Sequence, residues 1–173
     1  LHNSIAQIIQ IAEIIIGALK KGGKLIVFGN GGSASDAQHI VAELVGRFNK
    51  ERPGLAAIAL TTNTSILTAL ANDYGYDIVF ARQIEALGQK NDVALGISTS
   101  GKAKNVAAGI KQAKKMGLKT IALSGGDGGD IAKLADVSLL VPSPSTPRIQ
   151  EAHITIGHIL CELAEQAICQ EEK

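Results

Sequence analysis

The stretch KLIVFGNGGSASDAQHIVAELVGRF, residues 24–48, decides the fold. Lys24-Leu25-Ile26-Val27-Phe28 is a short, β-rich apolar run of the kind buried on both faces of a parallel sheet. Gly29, Gly31 and Gly32 then allow a tight turn and close approach of a ligand to the backbone. Ser33 stands at the position of a helix N-cap, with Asp36 three residues on in a capping-box arrangement. A glycine turn feeding a helix N-terminus is an anion site, because free N–H groups and the helix dipole point into it. The stretch is neither a Walker A loop nor a GxGxxG fingerprint, since the lysine and the glycine spacing are both missing. One turn further on, His39 and Glu43 stand four apart on one helical face. A surface ion pair has the same spacing, so the pair by itself leaves both readings open.

Working outward, residues 3–21 read as a helix with apolar positions on more than one side, wider than one buried stripe needs. Core packing accounts for one side, and a subunit contact for the other. Residues 55–60 form a second apolar strand, and Thr61-Thr62-Asn63-Thr64 caps a helix running to Ala71. Asn72-Asp73-Tyr74-Gly75-Tyr76-Asp77 reads as a polar, aromatic loop, which either carries function or simply turns. Residues 93–97 make a third strand, ending in Ser98-Thr99-Ser100-Gly101. A helix cap needs one hydroxyl, so three in a row suit a phosphate better, and Lys102 adds charge. A fourth strand covers residues 118–123, and Ser124-Gly125-Gly126-Asp127-Gly128-Gly129 reads as a connection. A fifth strand, residues 137–141, precedes a proline-broken turn and a final helix over about 148–168. That helix carries Gln150, Glu151, His153 and His158.

Five strands alternating with helices predict an α/β fold: a doubly wound, flavodoxin-like, five-stranded parallel sheet between helices, a three-layer sandwich. Both serine–glycine loops then share the carboxyl edge of the sheet. The 173 residues suit one domain. A net charge of +1 with scattered lysines and 3% aromatic residues argues against nucleic acid as a partner. No signal peptide or lipidation motif is visible and no apolar run reaches membrane-spanning length, so no membrane partner and a cytoplasmic location are expected. Cys161 and Cys169 are eight apart in a helical pattern, roughly 12 Å along the axis and too far for a disulfide. They read as reduced thiols.

GNGGSASDAQHIVAELVGRF, NDYGYD, STSG and TPRIQEAHITIGHI together resemble the phosphoheptose isomerases, also called sedoheptulose 7-phosphate isomerases, of the sugar isomerase (SIS) fold. The resemblance runs over essentially the whole chain, residues 1–173 as one SIS domain, with helix 3–21 as the oligomerisation element. It implies conversion of sedoheptulose 7-phosphate to D-glycero-D-manno-heptose 7-phosphate through an enediolate, a step toward the heptose of bacterial surface glycans such as lipopolysaccharide. It implies a homotetramer with interface active sites. It implies one exchangeable Zn2+ per site, matching His39, Glu43, Gln150 and His158. Glu43 and His158 match the acid–base pair. Ser33, Ser98, Thr99 and Ser100 match the phosphate ligands, and Arg47 and Asp73 match polar groups near the sugar. Asn30, Gly31, Asn72 and Gln150 complete the expected substrate-binding set.

Gln150 and His158 are eight apart, on the order of 12 Å of rise if both are helical. They reach one ion only if Gln150 lies in an irregular helix start or a neighbouring subunit supplies one of them. His153 competes as a ligand, but reads as an exposed helix histidine, and His2 as incidental. The chain departs from the family at Lys102-Ala103, where Asn-Ser is usual, and at Ser145, where an acidic or amide residue is common. Two other readings follow from the same fold: a non-catalytic SIS tetramer serving as adaptor for a replication initiator, and an isomerase of another sugar phosphate. The presence of Glu43 favours an enzyme over the adaptor.

Overall fold

The computed structural model describes residues 4–169, so His2, and Asn3 of the expected first helix, lie outside the described residues. The order is α1 (Ile5–Lys20), β1 (Leu25–Gly29), α2 (Gly32–Val45), β2 (Ala57–Ala59), α3 (Thr64–Tyr74), α4 (Val79–Leu87) and β3 (Val93–Ser98). Then come α5 (Lys104–Lys115), β4 (Lys119–Gly125), α6 (Gly129–Leu134), β5 (Val137–Val141) and α7 (Thr146–Cys169). The five strands pair in the order β2-β1-β3-β4-β5, all parallel. This is the flavodoxin-like, doubly wound sheet, and it puts the carboxyl ends of β1, β3 and β4 side by side.

β1 is an interior strand, paired with β2 and β3, and all five of its residues are buried. This is why its sequence is continuously apolar rather than alternating. One helical layer, α1, α2 and α7, closes a core around Ile11, Ile15, Val27, Ile40, Leu44, Leu95 and Ile156. The opposite layer packs Phe28, Phe80, Ile84, Val106, Ile110 and Ile131. Burying each such side chain contributes about 1.5–3 kcal/mol, so Ile11→Ala in the middle of α1 costs about 2–5 kcal/mol. On the outer side of α1, Ile5 and Ile9 remain about half exposed, at 50% and 49%.

Three local expectations are corrected. Residues 72–74 are not loop: α3 runs through Tyr74, and Tyr76–Ile78 adds a short 3-10 turn. Asn63 caps α3 by accepting from Ile66 N–H at 3.0 Å, and Gly75, at φ 91, ends it. β2 is only Ala57–Ala59, because it is an edge strand bonded on one side. Ser33 is not the cap of α2. Gly31, at φ 57, holds that position, and Ser33 is buried in the first turn. A left-handed residue with no side chain bends the chain off β1 more tightly than a serine could.

Candidate active site

α2 and α7 follow β1 and β5 on the same face of the sheet and run side by side in the same direction. Gly32 lies against the Gln150 amide, Gly157 against Ile40, and Glu165 against the backbone beyond α2. A Cβ on Gly157 would sit 2.8 Å from the Ile40 side chain, so glycine is what lets the two helices come this close.

Their contact brings three side chains to one point. His39 Nε2 is 2.9 Å from His158 Nε2 and 3.2 Å from Glu43 Oε1. Ligand atoms of all three lie within 4.8 Å of one another. His39 is exposed and the other two are half-buried, so the cluster is open on one side. Phe48 packs its ring 5.6 Å from that of His158. Two imidazole nitrogens and a carboxylate oxygen form a donor set suited to a divalent ion with an open position. Zinc–nitrogen bonds of about 2.0–2.1 Å set two nitrogens roughly 3.3 Å apart at a tetrahedral centre, so this pair needs to spread only slightly.

Gln150 is placed at a different height on the same helix as His158. It lies within α7 itself, not in an irregular start, about 12 Å of helix rise from His158 and beside the N-terminus of α2. The expectation for His153 is corrected outright. It is 0% exposed, and its Nε2 donates to the Ser124 carbonyl at 3.1 Å. Its Nδ1 is buried without a partner among the described residues, and burial pushes its pKa down against the pull of the Ser124 bond. It sits three residues beyond Gln150, on the face of α7 turned to the sheet.

Ser98 ends β3, and Thr99 and Ser100 follow it, at the edge where β1 and β4 also end. Their hydroxyls do not cap α5, whose N-cap is Ala103 with no side-chain bond. Ser100 Oγ accepts from the Lys102 N–H, at 3.2 Å. Ser124 Oγ donates to Ser98 O at 3.0 Å, and the N–H groups of Asp130 and Ile131 donate to Gly101 O. The 124–129 turn therefore buttresses the 98–101 loop. A cleft of about 230 Å³ lies between Thr99, Ser100, Lys102, Gly126 and Thr146.

The amides of Asn30 and Asn105 exchange two bonds at 2.8 Å and strap the glycine turn after β1 to the start of α5. Tyr76 O–H donates to Asn30 at 3.4 Å, which brings the 72–77 segment to the mouth of the turn. Asn72 and Asp73 are exposed and bonded to each other at 2.8 Å, while Arg47 reaches Glu51 at 3.6 Å. Sequence reading missed Asn105, Arg52 and Glu165, because their partners are 75 and 113 residues away. It took Asp36 for a cap residue. Its Oδ2 is instead buried without a partner among the described residues, and burial raises its pKa while His39 opposes the rise.

A parallel sheet with paired serine–glycine loops on its carboxyl edge defines a SIS-domain protein, and the SIS domain family profile matches residues 2–125. Within that class the chain belongs to the phosphoheptose isomerases, which are sugar-phosphate isomerases. It is 59% identical over 164 residues to the phosphoheptose isomerase of Aquifex aeolicus, across 95% of this chain and 86% of the relative. It superposes on phosphoheptose isomerase GmhA from Neisseria gonorrhoeae with TM-score 0.89 and 47% identity, covering 94% of this chain and 87% of that one. A phosphoheptose isomerase from Francisella tularensis matches with TM-score 0.91 and 41% identity over 94% of this chain and 86% of that one. No helix among the described residues is long and apolar enough to cross a membrane.

Proposed function

We infer that this chain isomerises sedoheptulose 7-phosphate to D-glycero-D-manno-heptose 7-phosphate in heptose biosynthesis for surface glycans. The observation that carries the reading is the convergence of His39, Glu43 and His158 on helices that start beside the phosphate-type loops. The substrate phosphate rests among the hydroxyls of Ser98, Thr99 and Ser100, with Ser33 and the N-terminal amides of α2 and α5. Lys102 supplies positive charge where Ala103 offers no hydroxyl. The sugar extends toward Glu43, past Gln150, with Arg47, Asn72 and Asp73 as its polar surroundings.

Glu43 removes the proton from C1 of the ketose and returns it to C2 of the enediolate, and His158 moves a proton between the two oxygens. His39, Glu43 and His158 would hold zinc, which as a Lewis acid stabilises negative charge on the enediolate oxygens. Gln150, about 12 Å of helix rise from His158 and with its amide against Gly32, is assigned by this reading to the sugar or to a site completed by a second subunit. The half-exposed Ile5 and Ile9 support assembly, and the reading takes the enzyme as a homotetramer with interface sites in the cytoplasm.

The direct experiment incubates the purified chain with sedoheptulose 7-phosphate and follows the product by NMR. Formation of the heptose aldose supports the reading. Turnover of a different sugar phosphate in its place would move the chain to another isomerase.

A further inference from the structure

Behind the site lies a buried ion pair that the chemistry above does not use. Arg52 and Glu165 have side chains 0% and 1% exposed, with Arg52 Nε 3.2 Å from Glu165 Oε1. Arg52 covers the C-terminal end of α2. Its Nη2 donates to the Glu43 carbonyl at 2.9 Å, and its Nη1 to Leu44 O at 2.9 Å, Pro53 O at 3.0 Å and Gly46 O at 3.2 Å. Helix ends leave carbonyls unpaired and carry partial negative charge, so a guanidinium there satisfies both demands. Glu165 in turn accepts from the backbone N–H groups of Phe48 at 2.9 Å and of Asn49 and Lys50 at 2.8 Å. It stands on α7 seven residues, two turns, beyond His158.

One pair therefore grips the backbone of Glu43, the loop that presses Phe48 on His158, and the helix that carries His158. A pair this deep is a poor device for stability alone. Desolvating two charges costs several kcal/mol per ion, and apolar side chains of similar volume often serve as well or better. What apolar side chains cannot do is hold these carbonyls and N–H groups in register.

We propose that Arg52 and Glu165 are positioning residues that set Glu43 against His158. The proposal rests on the acid–base roles given above. Its test is the double variant Arg52→Met/Glu165→Leu, which removes both charges together, so that neither is stranded. The N–H groups it frees on exposed Asn49 and Lys50 can reach water. The expected result is a folded protein whose kcat for sedoheptulose 7-phosphate is about tenfold to a hundredfold lower. KM should stay within about twofold, because the pair holds the C-terminal end of α2, away from the Ser33 end, and Ser98, Thr99 and Ser100 stand at the end of β3. Imidazole signals of His39 and His158 in nitrogen-15 NMR should shift in the same protein. Arg52→Lys keeps the charge but not the fork of donors, and should fall between the two; it carries the test if the double variant does not fold. Unshifted imidazole signals with normal kcat in a folded variant, or a rate loss no larger than the unfolded fraction, would overturn the proposal. If the wild type does not turn over this sugar, the functional reading fails on its own. The imidazole signals then still decide: a shift upholds the positioning role and no shift ends it.

Discussion

His39 Nε2 lies 2.9 Å from His158 Nε2, across 119 residues of sequence. Two imidazole nitrogens at this distance either share a proton or await a cation. With Glu43 Oε1 3.2 Å from the same nitrogen, the second use fits the donor set better.

Glu43→Gln keeps the shape of the site and one oxygen donor but cannot take a proton from carbon. Turnover should fall by roughly two to four orders of magnitude with substrate still binding. If Glu43 serves the metal chiefly, the variant loses zinc by elemental analysis and added zinc restores part of the rate. Near-normal turnover without added zinc would remove both roles.

Ser100→Ala removes an exposed hydroxyl that accepts from the Lys102 N–H. A hydroxyl bonded to a charged phosphate contributes on the order of 1–2 kcal/mol, so KM should rise about fivefold to thirtyfold with little change in kcat. An unchanged KM, with inorganic phosphate inhibiting as before, would place the phosphate elsewhere.

Ile5 and Ile9 sit one turn apart on the outer side of α1, each about half exposed. Light scattering at micromolar concentration should give about four chains per particle, and Ile5→Glu/Ile9→Glu should shift the population to smaller species. A wild type that runs as a clean monomer would end the shared-site reading.

Burial holds His153 neutral below the pH at which an unfolded histidine, with pKa near 6.5, takes its proton. The stability this confers is complete above about pH 6.5. It is lost as pH falls toward the lower folded pKa, because the unfolded chain then binds a proton the folded chain resists. His153→Gln keeps a donor for the Ser124 carbonyl and does not titrate. The gap in Tm between wild type and variant should therefore narrow from pH 7.5 to pH 5.5, and a constant gap would contradict the assignment.

Cys161 is 1% exposed, and burial, with help from Glu43 and Glu165 against Arg52, pushes its thiol up to about 12. The thiolate is the reactive form, so iodoacetamide at pH 8 should leave Cys161 unmodified in the native protein and label it in urea. Mass spectrometry of the native sample showing rapid labelling would contradict this burial.

The sheet and its edge were legible in residues 24–48 and in STSG because they are local facts. An apolar run too short for a helix, followed by glycines and a capped helical pattern, has few other ways to fold. The His39–Glu43 face was legible for the same reason, since helical spacing alone puts those side chains together. The extent of α3 was not. Asn, Asp and Tyr at 72–74 have turn character, and whether a helix runs on through them depends on where Gly75 can end it.

By itself the sequence determined the order of the elements, the parallel winding and the two loops on one edge. These follow from period, composition and glycine placement within a few residues of one another. Only the tertiary structure decided what the side chains of the site meet. It set His158 beside His39, drew His153 into the core against Ser124, and clamped the end of α2 with Arg52 and Glu165. The reason is that α2 and α7 are joined through the whole sheet. Their offset depends on a glycine facing an isoleucine and on a buried charge pair, contacts between residues more than a hundred apart that no local pattern encodes.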